Sequence, residues 1–223
     1  MDTNFEKATL GEKVADFVTS VRLVLITIGV VLVLAIAGIG TFVLVTEKGN
    51  SKGLEVVDSI AYTLTKDSSG LSEEELEDRR NVAMSSLGAY VEKGGVVGVR
   101  ADMLAAEIEY SRKNYEAAAK NWLLAARKSR KAYTAPLAYF NAAVAYEDAS
   151  NLDEAEKLYR KTVEYENFDQ IAHAKFSLAR VLETKGNTEE AVKVYTELFD
   201  SKPNDSWGKL AKTKLITLSS DKE

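Results

Sequence analysis

His173 is the only histidine in the chain, and no cysteine accompanies it. A catalytic base needs a nucleophile or a substrate proton within hydrogen-bond reach, and no G-x-S-x-G elbow or similar motif supplies one. One histidine and no thiolate also leave neither a histidine-pair metal site nor a thiolate zinc site to assemble. Gly94-Gly95-Val96-Val97-Gly98 has the glycines of a phosphate loop. It lacks the Lys-Ser/Thr and the preceding strand, so it reads as a helix-to-helix turn. The acids Glu73-Glu74-Glu75 and Glu189-Glu190 stand at predicted helix starts, where they complement the helix dipole and point in different directions around the helix. No catalytic, cofactor or metal site is expected, the chain reads as a non-enzyme, and no small-molecule substrate is implied.

Instead of assembling a site, these residues recur. Asn114–Leu123, Asn151–Arg160 and Asn187–Thr196 superimpose without gaps, at spacings of 37 and then 36 residues. Each carries Asn first, Ala fifth (Ala118, Ala155, Ala191) and an aromatic ninth (Trp122, Tyr159, Tyr195). A period in that range predicts stacked helical hairpins, each burying its apolar face only against its neighbours. The turns fall at Lys113-Asn114, Ser150-Asn151 and Gly186-Asn187, where Gly and Asn tolerate positive φ. The second hairpin is the most legible, with Tyr139, Ala142, Ala143 and Tyr146 forming an i, i+3, i+4, i+7 stripe. Pro136 suits the first turn of that helix, and Pro203 ends the third hairpin. Trp207, Leu210, Ala211, Leu215 and Leu218 then predict a closing amphipathic helix.

Leu23–Thr46 is a run of 24 residues with no charge. As a helix it spans about 36 Å, enough for a hydrocarbon core of ~30 Å. The leader before it is long and carries four acids (Asp2, Glu6, Glu12, Asp16), and apolar residues continue past the Ala35-Ile36-Ala37 small-x-small site, so an uncleaved signal anchor is expected. Lys7, Lys13 and Arg22 precede the run and Lys48, Lys52 and Lys66 follow it, a small bias toward a cytoplasmic N-terminus and an extracytoplasmic C-terminal domain. In the leader, Phe5, Leu10, Val14, Phe17, Val18 and Val21 recur at near-helical spacing, which fits either an amphipathic surface helix or an irregular tail. The formal net charge of −5 gives little attraction for phosphate backbones and argues against a nucleic-acid partner.

The expected architecture is all-α: a tail over 1–21, a transmembrane signal anchor over 22–46, a linker over 47–53, an N-terminal helical pair over 54–96, and a solenoid over 97–219 made of three hairpins and a capping helix, followed by a tail over 220–223. Ser72 with Glu75 marks a capping box at the start of the second helix of the pair.

The pattern small-small-x-x-Tyr, Gly/Asn, Ala-x-x-x-Tyr and terminal Pro resembles the tetratricopeptide repeat (TPR) over about residues 99–219. Glu109 departs from it in the first repeat, where Tyr usually stands, and the spacings exceed the family's usual 34, which implies enlarged loops around Tyr133 and Asn167. The whole layout, with segment 100–126 and the closing Ala211-Lys212-Thr213-Lys214-Leu215, is similar to the YfgM-type ancillary subunits of the bacterial SecYEG secretion translocon. That resemblance implies an inner-membrane scaffold or adaptor with a cytoplasmic N-terminus and a periplasmic repeat domain. Its implied partners are translocon subunits and a membrane-anchored chaperone, with the lipid bilayer contacted through one span. The alternatives are a structural component of a large envelope assembly, such as a secretion or motility apparatus, and a cytoplasm-facing recruitment platform.

In a TPR stack the first helices line a concave groove. The residues offset from the core stripe are Arg100, Met103, Glu107 and Tyr110 in repeat one, Leu137, Phe140, Val144 and Glu147 in repeat two, and His173, Phe176, Arg180 and Glu183 in repeat three. Met103, Phe140 and Phe176 would form an apolar ladder suited to an amphipathic or extended partner segment. Otherwise Phe140 and Phe176 pack against the enlarged loops or N-terminal helices and close the groove. The Lys and Asn set that clamps a terminal carboxylate in some family members is absent from these places.

Overall fold

The computed structural model describes residues 10–129 and 133–220, with the side chains of residues 10, 12–16, 18–30 and 40–44 outside the description. All regular structure in the described residues is helical: α1 (Leu10–Thr65), α2 (Glu73–Val91), α3 (Gly95–Ser111), α4 (Tyr115–Lys128), α5 (Thr134–Asp148), α6 (Leu152–Val163), α7 (Ile171–Thr184), α8 (Thr188–Ser201) and α9 (Ser206–Ser220), with a short 3-10 turn at Ser68–Gly70. The chain divides into two compact units, Met1–Ser51 and Lys52–Glu223.

In the first unit, the side chains from Val31 to Ile39 are all exposed, with Leu34 at 66% and Ile36 at 69%. No helix of the described residues is long and apolar enough to cross a membrane. Most of the uncharged Leu23–Thr46 run lies outside the described side chains, as does most of the apolar set in the leader. Residues 47–53, the expected linker, are helical and belong to α1. Their two glycines each cost about 1 kcal/mol of helix propensity, and no proline stands there to break the ladder.

In the second unit the α1 segment from Lys52 onward packs on α3. A Cβ at Gly53 would lie 2.8 Å from a Val97 methyl, so glycine permits the close approach. Val57, Ala83, Leu87, Val97, Ala101, Leu104, Ala105 and Ile108 form the buried cluster of this end. The capping box closes as expected: Glu75 N–H donates to Ser72 Oγ at 3.3 Å and Ser72 N–H donates to Glu75 Oε2 at 2.8 Å. Arg79 of α2 caps α1 by donating to the carbonyls of Thr63 and Lys66. Gly98 is placed more tightly than Gly53, since a Cβ there would lie 1.8 Å from the Lys93 carbonyl.

The hairpins α3/α4, α5/α6 and α7/α8 then stack on a second, larger core. Each first helix ends the same way. The amides of Lys113, Ser150 and Gly186 donate to Tyr110, Glu147 and Glu183, and those of Asn114, Asn151 and Asn187 donate to Glu109, Tyr146 and Leu182. This is the Schellman arrangement, and it requires positive φ at the first residue of each pair: 65° at Lys113, 60° at Ser150 and 82° at Gly186. The asparagine carbonyls then accept the first bonds of α4, α6 and α8, from Ala118, Ala155 and Ala191. Those alanines are fully buried where the paired helices approach, and Trp122, Tyr159 and Tyr195 fill the space one turn later. Helix α9 packs on α8 and reaches α7, the place of a further first helix.

Candidate functional site: the concave face

The first helices α3, α5 and α7 bring the twelve expected groove residues into repeating rows, but the rows differ in what covers them. Phe140 is 5% and Phe176 8% exposed, so the continuous open ladder expected of them is not formed. Phe140 packs against Tyr159 at 5.8 Å, the His173 ring at 4.8 Å and Phe168 at 6.1 Å between ring centroids. Phe168 comes from the enlarged α6–α7 connection and is itself buried. Phe176 packs against Tyr195 and against Trp207, the second residue of α9. His173 stacks flat on Trp207, with centroids 3.9 Å apart and planes 7° apart. Burial, and then the positive charge of Arg180, hold the His173 pKa below its usual value. The imidazole is thus a partly buried ring in an aromatic stack.

Glu147, Arg180 and Glu183 are engaged in joining the repeats. Tyr159 Oη donates to Glu147 at 2.8 Å and Tyr195 Oη donates to Glu183 at 3.0 Å, the same contact in successive hairpins. Each glutamate also holds a cation from the next first helix: Arg180 lies 2.8 Å from Glu147, and Lys214 of α9 lies 2.9 Å from Glu183. Hairpin one substitutes an aromatic pair for this motif. Tyr110 and Trp122 stand in the places of the glutamate and tyrosine, with ring centroids 5.6 Å apart. The Tyr110 hydroxyl donates to Asp148, and burial, followed by that bond, pushes its pKa up to about 12. Val144 is half-buried against the core.

Among the described residues, the face lined by the first helices is open at its first repeat. A cavity of about 910 Å³ lies over Val96, Val99, Arg100, Met103, Glu107 and Leu137, four of them residues expected from sequence. A second cavity of about 590 Å³ shares Arg100 and Glu107 and continues toward Ala61, Leu64 and Leu76 of the N-terminal pair. Met103, 7% exposed, forms the floor rather than a projecting contact. Arg100 pairs with Asp58 of α1 at 2.9 Å. Lys128, on the cavity wall, pairs with Asp102 at 2.7 Å and also donates to the Val91 carbonyl. Asp102 is fully buried, and desolvation raises its pKa despite the lysine. Glu107 is exposed as a residue, but the cavity walls crowd its carboxyl and raise its pKa against the opposing pull of Arg100.

Val96, Val99, Asp102 and Lys128 are the site residues that sequence reasoning missed. Val96 and Val99 continue the helical spacing of Arg100, Met103 and Glu107, a legible signal hidden by reading residues 94–98 as a turn; α3 already begins at Gly95. The Asp102–Lys128 pair joins α3 to the end of α4 and carries no local signal.

The arrangement offers shape, apolar area and a few charges, the equipment of a binding surface. In agreement, the tetratricopeptide repeat family matches residues 140–206, from within α5 to the first residue of α9. The chain is also 28% identical over 143 residues to a TPR repeat-containing protein of Treponema pallidum (strain Nichols), a match covering 64% of this chain and 60% of that protein. The match therefore leaves two fifths of that relative's length outside it. Tetratricopeptide repeats are protein-interaction modules, and the stretch of this chain that is similar to them takes in α6 to α8 with parts of α5 and α9.

Proposed function

We propose that this tetratricopeptide-repeat chain is a membrane-anchored scaffold that holds other proteins on its concave face, in the periplasm and ancillary to the Sec translocon and its chaperones. The observation that carries the binding reading is the open apolar cavity over Val96, Val99, Met103 and Leu137 at the first repeat. Binding there needs no chemistry, only burial of apolar surface at roughly 25 cal/mol per Å² against the entropy of association.

The anchor is supported by Leu23–Thr46, uncharged throughout, within the continuous helix α1. Its described part exposes Val31, Leu32, Val33, Leu34, Ile36 and Ile39, which point to all sides of the helix. A helix apolar all round is stable where its surroundings are apolar, and a bilayer supplies them. Orientation rests on the Lys/Arg bias around the run, and the translocon on the resemblance in layout.

The test is in-cell crosslinking of the full chain, mild extraction and quantitative mass spectrometry. Recovery of translocon subunits and periplasmic chaperones at low occupancy is the expected result. Recovery of one large envelope apparatus in constant ratio, or of cytoplasmic proteins alone, would replace this reading with a structural or cytoplasm-facing role.

A further inference from the structure

We infer that the open end of the concave face takes an amphipathic partner segment that is basic rather than acidic, seating its apolar residues over Val96, Val99, Met103 and Leu137 and a lysine or arginine against Glu107. The inference rests on the reading of this face as a protein-binding groove, and adds the chemistry of the occupant.

Among the described residues, four charged side chains line the two joined cavities: Arg80, Arg100, Glu107 and Lys128. Each cation already has an anion from this chain. Arg80 lies 2.6 Å from Glu73 and 3.3 Å from Glu77, Arg100 2.9 Å from Asp58, and Lys128 2.7 Å from Asp102. Glu107 makes no ion pair or hydrogen bond with any described residue and feels only the more distant field of Arg100. An acidic segment meets only cations already shared with a carboxylate of this chain, and at Lys128 it competes with the fully buried Asp102. A basic segment meets a carboxylate that is unpaired and at the junction of both cavities. The crowding that raises the Glu107 pKa means the free protein holds this charge at a cost, which a bound cation removes. Around it, Leu54, Val96, Val99, Met103 and Leu137 supply the apolar floor and walls.

The probes are two fluorescein-labelled 12-residue peptides with the same leucine pattern, one with lysine and one with glutamate at the polar positions. They are titrated by anisotropy into the full chain in zwitterionic nanodiscs, with empty discs as baseline. The lysine peptide is expected to bind at least about tenfold tighter, Glu107→Gln to weaken it about fivefold to tenfold, and Glu107→Lys to remove its advantage. Because the ligand prefers ionised Glu107, its affinity rises with pH through the raised Glu107 pKa, and Glu107→Gln flattens that profile. Leu137→Asp is expected to abolish binding of both peptides. If Leu137→Asp abolishes binding while Glu107→Gln changes nothing, the groove stands and the basic occupant is wrong. If Leu137→Asp changes nothing, the groove reading itself falls. Binding of neither peptide, or a dimer of the full chain lost on Leu137→Asp, overturns the inference, the latter by making a second copy the occupant.

Discussion

The buried hydroxyl of Tyr159 donates to Glu147 at 2.8 Å, across the two helices of one hairpin, while Glu147 reaches on to Arg180 of the next. One carboxylate thereby ties two repeats together, and Tyr195 with Glu183 and Lys214 repeats the device one hairpin later. Burial is the main reason the Tyr159 hydroxyl is held far above its ordinary pKa, with the Glu147 charge second. Glu147→Ala leaves that hydroxyl without its acceptor and Arg180 without its pair, and is expected to cost about 1–3 kcal/mol. A double-mutant cycle of Glu147→Ala with Tyr159→Phe, followed by denaturant unfolding, should show coupling of about 0.5–1.5 kcal/mol. Additive effects would mean the pair carries no stability.

Phe140 and Leu137 lie three residues apart on α5 but differ in what covers them. Phe140→Asp buries a carboxylate among Tyr159, Phe168 and His173 and should unfold the repeat domain or cost more than about 3 kcal/mol. Leu137 is half-buried on the cavity wall, so Leu137→Asp should leave the melting temperature within a few degrees of the parent. Thermal melts of both variants check this. Similar losses from the two would mean the cavity at the first repeat is closed in solution.

The turns at Lys113 and Ser150 adopt the positive φ that Gly186 adopts without a side chain. A left-handed non-glycine residue costs roughly 1–2 kcal/mol, offset in part by the greater unfolded-state entropy of glycine. Lys113→Gly and Ser150→Gly should each stabilise the domain by about 0.5–1 kcal/mol, and Gly186→Ala should destabilise it by about 1 kcal/mol. Chemical denaturation resolves differences of this size, and a destabilising Ser150→Gly would contradict the strain argument.

His173, stacked on Trp207, has a folded-state pKa below its ordinary value of 6.5, chiefly from burial. A depressed histidine pKa means that the unfolded chain binds the proton more tightly. Its contribution to stability is therefore complete above about pH 6.5 and is lost as pH falls through the folded value. Since His173 is the only histidine, its imidazole resonances report the pKa directly by NMR. Melting temperature should fall on acidification from pH 7 to 5 more steeply in the parent than in His173→Phe. An imidazole titrating above 6.5 would reverse the expected sign.

The repetitive part of this protein was legible in its sequence because it rests on local rules. Asparagine after a left-handed residue, alanine at the helix–helix approach, an aromatic one turn later and the Ser72–Glu75 cap are each read within a few residues. These determined the hairpins, their turns and their order, and the charge-free stretch Leu23–Thr46 is likewise a property of sequence alone. Which groove rows stay open was decided only by the tertiary structure. Phe140 and Phe176 occupy places equivalent to Met103, but Phe168 from a loop and Trp207 from α9 fold over them, and among the described residues nothing comparable covers the first repeat. Likewise the pairing of Asp102 with Lys128 and of Arg100 with Asp58, which leaves Glu107 as the cavity's unpaired charge among the described residues, joins residues far apart along the chain. Local propensity sets a helix and its periodicity, whereas burial and pairing depend on which distant segment arrives to exclude water.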